Sequence, residues 1–323
     1  MRAIELASFG GAQVLELKER PSPVPGKDSL LIDVAAAGVN YLDLVARAGF
    51  MPGYFSTAAP PYRLGLEIAG VVKEVGSAVT TWKAGDAVAA VTVGGGGYAS
   101  QVVVPASVAI PIPQGVELTL AAAILVQGLT AFLTLEAGKI RAGATVLVSA
   151  AAGGVGSLAV QIAKLQGARV VALASRAKHD FVRKNGADQV FDSGSPGWSS
   201  AVREAVGDRG IDLFLDSIGD LQTEALGLFG AGAHWVVYGA RAKAQAPLPG
   251  EALWPIIEKN ITLRGFNLEG SFPHFERALA SIFDWARTGQ LKVETLKFPL
   301  ESAALAHQRF EGRETVGKVL LVP

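Results

Sequence analysis

A strand, a glycine-rich turn and a helix follow one another between residues 144 and 166, and no other feature narrows the choice of fold as far. Ala144–Ser149 is an unbroken apolar run of strand length, and Val155–Gln166 carries apolar residues at helical spacing. Between them lies Ala150-Ala151-Ala152-Gly153-Gly154-Val155-Gly156. Small residues at such a junction let backbone approach a phosphate and let the helix pack on the strand. The helix start adds free N–H groups and the positive end of its dipole. Ala150, Gly153 and Gly156 take the three spaced positions of G-x-G-x-x-G, with alanine first. Ala152, Gly153, Gly154, Val155 and Gly156 therefore read as a pyrophosphate cradle; the alternative is a plain glycine-rich turn.

The rhythm around this unit supports the first reading. Strands at Arg169–Ala174, Gln189–Phe191, Ile211–Asp216 and Trp235–Tyr238 alternate with helices at Lys178–Asn185, Trp198–Val206 and Thr223–Phe229. Continuous apolar strands alternating with helices predict an α/β, doubly wound parallel sheet of Rossmann type. Before residue 119 the chain differs. Short β-prone runs at Ser29–Ala35, Ile68–Val75, Ala87–Val93 and Gln101–Val104 are separated by proline and glycine turns, the pattern of an irregular barrel. Ile261–Phe266, Val293–Pro299 and Lys318–Val322 return to strand character around an amphipathic helix at His274–Thr288. Residues 119–260 are thus expected to form the nucleotide-binding domain, with 1–118 and 261–323 building the other.

Bulk properties remove several function classes. A chain of 323 residues has room for two domains. Its 29 Lys+Arg balance 29 Asp+Glu, so it lacks the basic excess of a nucleic-acid binder. Glu117, Gln127, Gly128 and Thr130 interrupt the apolar stretch Val116–Leu135, so no membrane span is expected there. Glu5, Gly10 and Gly11 come too early for the apolar core of a signal peptide, and the chain reads as cytoplasmic. There is no cysteine, and His179, His234, His274 and His307 lack the spacing of a helical metal pair, so no zinc is expected.

The type of cofactor is legible after the second strand. NAD enzymes place an acid there, on the ribose. Here Ser175, 19 residues past Gly156, is followed by Arg176 and then Lys178. A hydroxyl and two cations would bind a 2′-phosphate that a carboxylate would repel, which favours NADPH. The bland alternative is a solvated helix start.

With these residues in view, the chain resembles the medium-chain dehydrogenase/reductase superfamily, in its zinc-free quinone oxidoreductase (zeta-crystallin-like) branch. The resemblance rests on Gly38-Val39-Asn40-Tyr41-Leu42-Asp43, Gly65-Leu66-Glu67-Ile68-Ala69-Gly70, Gly85-Asp86-Ala87-Val88 and Gly97-Tyr98-Ala99. It continues through Gln127-Gly128-Leu129-Thr130-Ala131, the glycine-rich turn, Asp216-Ser217-Ile218-Gly219 and Gly317-Lys318-Val319-Leu320. It implies a GroES-like, β-barrel-type catalytic domain beside the Rossmann domain, and a homodimer. Zinc alcohol dehydrogenases carry Cys where this chain has Asn40, and His where it has Leu66. The resemblance further implies that Asn40 and Thr130 lie near the nicotinamide, with Ser217, Tyr238, Gly239, Phe266 and Asn267 bordering that region. The tyrosine that some members place on the adenosine phosphate corresponds here to Ser193.

Without a Lewis acid, alcohol oxidation loses its alkoxide stabiliser, whereas reduction of an electron-poor conjugated system needs only a modest hydrogen-bond donor. The expected activity is NADPH-dependent hydride transfer to a quinone or an α,β-unsaturated carbonyl. The alternatives are an enoyl-CoA or enoyl-ACP reductase and a noncatalytic NADPH-binding protein. Tyr41 and Tyr54 are the candidate proton donors; they would equally serve to line an apolar pocket, with water supplying the proton.

Overall fold

The computed structural model describes residues 1–50, 60–92, 94–219, 222–239, 250 and 253–323. Two compact units emerge, Met1–Val126 with Phe283–Arg287 and Val293–Pro323, and Gln127–Ile282 with Thr288–Lys292.

The first unit is built on strands of which the central ones, at residues 29–38, 67–75 and 318–322, bury runs of consecutive residues and so both faces. β1 (Arg2–Leu6) and β2 (Leu15–Glu19) make an antiparallel pair. β3 (Ser29–Gly38) leads into helix α1 (Tyr41–Arg47), and β4 (Glu67–Val75), β5 (Ala87–Val91), β6 (Gln101–Pro105) and β7 (Ala109–Pro111) follow. Near the end of the chain come β14 (Thr295–Pro299), helix α9 (Ala303–Glu311) and β15 (Lys318–Val322). The sheet order is β14-β15-β3-β4-β5-β7, with β6 also paired to β3. Ile4, Leu30, Ile32, Ile68, Val88 and Leu321 are among its core residues.

The second unit is the alternating α/β stretch. It contains β8 (Thr145–Val148), α3 (Gly154–Leu165), β9 (Arg169–Leu173), α4 (His179–Lys184), β10 (Gln189–Phe191) and α5 (Trp198–Val206). β11 (Ile211–Asp216), α6 (Gln222–Leu226), β12 (Phe229–Val237), α7 (Leu253–Glu258) and β13 (Thr262–Gly265) complete it. The six strands are all parallel, in the order β10-β9-β8-β11-β12-β13. Its core includes the rings of Phe214, Phe229 and Trp235, with centroids 5.7–6.3 Å apart. Helices α2 (Leu118–Ala137) and α8 (Phe275–Arg287) each contribute residues to both units. α2 is long and apolar enough to cross a membrane, yet 72% of its apolar window is buried within the fold.

The structure moves several boundaries. Helix α6 stops at Leu226 and β12 starts at Phe229, six residues before the expected strand at Trp235, because Phe229 pairs with Ile211 on β11. The ladder with β11 breaks after that first pair and resumes at Leu213 opposite His234, and Gly232, left-handed at φ 72, lies within the break. β13 hydrogen-bonds to β12, so residues 262–265 belong to the nucleotide-binding sheet and not to the returning segment 261–323. The first division falls inside α2, at Val126, where the sequence places it at 118. These shifts come from long-range strand pairing and packing, which a local composition change does not report.

Candidate active site

The glycine-rich turn produces an open helix N-terminus. Gly153 is the N-cap of α3 and offers no side-chain cap. The first helical N–H to find an intrahelical acceptor is that of Ser157, 2.9 Å from Gly153 O, so the N–H groups of Gly154, Val155 and Gly156 precede the ladder. A Cβ at Gly156 would overlap Ala150 O and lie 2.7 Å from Ala151 Cα, so that position takes only glycine. Gly153 is roomier, with Ala150 O 3.3 Å from its missing Cβ. Ala150 itself is left-handed, at φ 45. Free N–H donors, a helix dipole and a surface without side chains fit a pyrophosphate.

Beyond β9, Ser175 and Arg176 are exposed and Lys178 is half-buried on a single 3-10 turn. The sequence reading overlooked the neighbouring Asp192. Its carboxylate is turned onto backbone, accepting from Arg176 N at 3.3 Å and from Gly194 N at 2.9 Å.

The carboxyl ends of β8, β11 and β12 bring three polar residues together. Ser149 Oγ lies 3.0 Å from Ser217 Oγ and accepts from Ser217 N at 2.8 Å. Ser217 in turn is hydrogen-bonded to the Tyr238 phenol, which burial pushes above its ordinary range and so keeps neutral. Gly239 packs so closely that a Cβ would sit 2.5 Å from Ser217 O. Ligands of open α/β sheets bind at this carboxyl edge. Phe266 N donates to Val237 O at 2.9 Å, beside the cluster. Asn267 is exposed, its Oδ1 accepting from Glu269 N at 3.3 Å. Thr130 is buried in α2, and its carbonyl accepts from Thr134 Oγ1 at 2.7 Å.

In the first unit Asn40 is the N-cap of α1, in a capping box with Asp43. Its carboxamide is buried against a buried ion pair. Lys318 Nζ lies 2.5 Å from Glu67 Oε1, and the two side chains are 1% and 0% exposed. Asn40 Nδ2 donates to Glu67 Oε1 at 3.0 Å and to Gly38 O at 3.3 Å, while Asn40 Oδ1 accepts from Lys318 at 3.3 Å. Tyr41, the next residue, is 46% exposed. Tyr54 lies outside the described residues.

Behind α1 runs a second buried network. Asp43 accepts from Asn40 N at 2.8 Å and Gly65 N at 3.1 Å. Burial raises its pKa to about 6, against the pull of those N–H groups, a hydrogen bond from Tyr98 and the Lys318 charge. Tyr98 OH is 3.0 Å from His307 Nε2, and Arg47 reaches from His307 Nδ1, at 3.4 Å, to Glu311 at 2.8 Å.

Known proteins match this arrangement along its whole length. Residues 26–114 match the family described as alcohol dehydrogenase GroES-like domain, and residues 154–284 the family described as zinc-binding dehydrogenase. A quinone oxidoreductase of Pseudomonas aeruginosa is 31% identical, covering 100% of this chain and 99% of that protein. One of Sus scrofa is 30% identical over 100% and 98%. This chain belongs to the quinone oxidoreductase branch of the medium-chain dehydrogenase/reductase superfamily. Among solved structures, Escherichia coli quinone oxidoreductase complexed with NADPH superposes with a TM-score of 0.90, at 29% identity and with both chains fully covered. A Pseudomonas syringae quinone oxidoreductase also reaches 0.90.

Membership makes this an oxidoreductase and raises the question of zinc, which the dehydrogenase family description names. The donors present do not fit it. Leu66 has no ligating atom, the Asn40 amide spends its N–H groups on Glu67 and Gly38, and Glu67 is already neutralised by Lys318. Among the described residues no three His, Cys, Asp or Glu side chains converge. Sequence reasoning missed Lys318, Asp43, Tyr98 and His307 as parts of this oxidoreductase's interior. A signal existed: Lys318 and Glu67 are charged residues of opposite sign, each opening a strand whose next residues are apolar.

Proposed function

We propose that this oxidoreductase uses NADPH to reduce a quinone, or the β-carbon of an α,β-unsaturated carbonyl, without a metal. The observation that carries the reading is the Lys318–Glu67–Asn40 cluster where zinc relatives hold metal ligands, since it leaves only acceptors that need no Lewis acid. The quinone oxidoreductase relatives, one of them complexed with NADPH, support it.

When bound, NADPH supplies the hydride, and with one proton the quinone becomes a hydroquinone. Gly154, Val155 and Gly156 would hold the pyrophosphate through backbone N–H groups, with Ala152 and Gly153 shaping the turn. Ser175, Arg176 and Lys178 would hold the 2′-phosphate. Ser217, Tyr238, Gly239, Phe266, Asn267, Thr130 and Asn40 are assigned to the nicotinamide end. Tyr41, exposed beside Asn40, is the candidate donor of the proton within the described residues, with Tyr54 the second candidate.

The test is NADPH oxidation with 1,4-benzoquinone, a simple enone and crotonyl-CoA, with NADH as control. Quinone or enone turnover supports the reading. A preference for crotonyl-CoA replaces it with an enoyl-thioester reductase. Tight NADPH binding without any turnover replaces it with a noncatalytic binding protein.

The reading places the protein in the cytoplasm as a homodimer. β13 is an edge strand with all four residues exposed, and Trp254, Ile257 and Leu263 add exposed apolar surface along the same stretch of chain. Light scattering of the wild type and Leu263→Glu checks this: a dimer that the charge splits is the expected result.

A further inference from the structure

We propose that Lys318 is a positioning residue that, together with Glu67, fixes which way the Asn40 carboxamide points. The inference rests on the quinone-reductase reading for its consequence but not for its geometry. An ammonium only donates and a carboxylate only accepts. Lys318 Nζ has three hydrogens and three acceptors: Val39 O at 3.0 Å, Asn40 Oδ1 at 3.3 Å and Glu67 Oε1 at 2.5 Å. Glu67 receives Asn40 Nδ2 on one oxygen and Val126 N, at 2.8 Å, on the other. A carboxamide held between a pure donor and a pure acceptor has one orientation; turned over, it would set N–H against ammonium and oxygen against carboxylate.

A second observation is independent of charge. Gly38 stands against the pair with an ordinary, not left-handed, backbone. A Cβ there would overlap the Glu67 carboxylate and come within 2.7 Å of Lys318 Cε. Glycine at this position serves the ion pair, not the chain direction. One buried pair thus joins β15, the end of β3, the start of β4 and α2 around a residue of the candidate site. It does so at the cost of desolvating two charges, which a purely structural core would avoid with apolar side chains.

Two variants test this: Lys318→Met/Glu67→Gln, whose neutral partners accept the amide either way round, and Gly38→Ala. The first readout is hydrogen exchange of the Asn40 side-chain NH2 in 15N-labelled protein, with its signals identified by their loss in Asn40→Leu. Slow exchange in the wild type and exchange at least about tenfold faster in the double variant and in Gly38→Ala is expected; unchanged exchange overturns the positioning role, whether or not the wild type turns over quinone. The second readout is kinetic. The double variant should melt within about 5 °C of the wild type, keep its KM for NADPH, and lose about tenfold or more in kcat with 1,4-benzoquinone. A stable double variant with wild-type kcat overturns the catalytic consequence and leaves the pair a structural ion pair. A wild type inactive with every acceptor overturns the quinone-reductase reading, while the exchange result still decides the positioning.

Discussion

His307 donates from Nε2 to the hydroxyl oxygen of Tyr98, 3.0 Å away, and the direction of that bond follows from its neighbours. The Arg47 guanidinium, 3.4 Å from Nδ1, has only N–H groups to offer, so Nδ1 accepts and the ring hydrogen sits on Nε2. Tyr98 is then left with its own hydrogen for Asp43, the hydrogen bond that completes the chain.

This chain predicts an unusual acid response. Burial, then the Arg47 charge, depresses the His307 pKa to about 3 from its ordinary 6.5, so between those values the unfolded chain takes up a proton that the fold refuses. Stability from His307 is therefore lost as the pH falls below 6.5. Asp43, raised to about 6 from 3.8, acts oppositely: the fold keeps a proton that the unfolded chain has released, and stability is lost as the pH rises between those values. The two oppose each other from pH 3.8 to 6. Relative to the wild type, Asp43→Asn should gain stability with rising pH in that window by about 1.4 kcal/mol per unit, and His307→Gln should lose it at a similar rate. Urea denaturation at half-unit pH steps measures both slopes; slopes of the same sign would refute the opposition.

Purified protein is expected to contain no stoichiometric zinc, and its activity should survive a chelator. The reason is electrostatic: a divalent ion at Asn40 and Glu67 would have to displace the Lys318 ammonium from its three oxygens. About one zinc per chain, lost together with activity, would overturn the metal-free assignment.

Two glycines of the phosphate turn should behave differently. Gly153→Val places its Cβ where the nearest atom is Ala150 O at 3.3 Å, so the fold should persist while NADPH affinity falls about tenfold or more. Gly156→Ala drives a Cβ into the backbone of Ala150 and Ala151, and should cost about 1–3 kcal/mol of stability even without cofactor. Thermal melts with and without NADPH separate the two effects. An unchanged NADPH affinity in folded Gly153→Val would remove the turn from the nucleotide site.

Cofactor choice should reside in the exposed pair after β9. Arg176→Ala should weaken NADPH by about 1.5–3 kcal/mol, roughly 10- to 150-fold, and leave NADH nearly unaffected. Ser175→Asp should go further, adding repulsion to the 2′-phosphate and an acceptor for the ribose of NADH. Titration calorimetry with both cofactors reads this directly, and equal weakening of both by Arg176→Ala would withdraw the assignment.

The strands and helices from residue 145 to 237 were largely legible in the sequence because their apolar residues repeat at the period of the element that buries them. Trp198–Val206 and Ile211–Asp216 carry the boundaries that their pattern predicts. The glycine-rich turn was legible too, since small residues between a strand and a helix have a local, steric purpose. Other elements were not. α9 mixes His307, Gln308 and Arg309 among its alanines and carried no clear helical stripe; β13 was expected as a strand at Ile261–Phe266, but its four exposed residues do not advertise its partner. The interior around Asn40 was the least legible. Lys318 lies 251 residues from Glu67 and His307 lies 209 from Tyr98, separations over which a local pattern carries no pairing information. By itself the sequence determined the local periodicities, the phosphate turn and the absence of thiols. Only the tertiary structure decided that a lysine, a glutamate and an asparagine from distant segments are buried together, because a buried charge is tolerable only where the fold supplies its counter-charge and every hydrogen-bond partner at once.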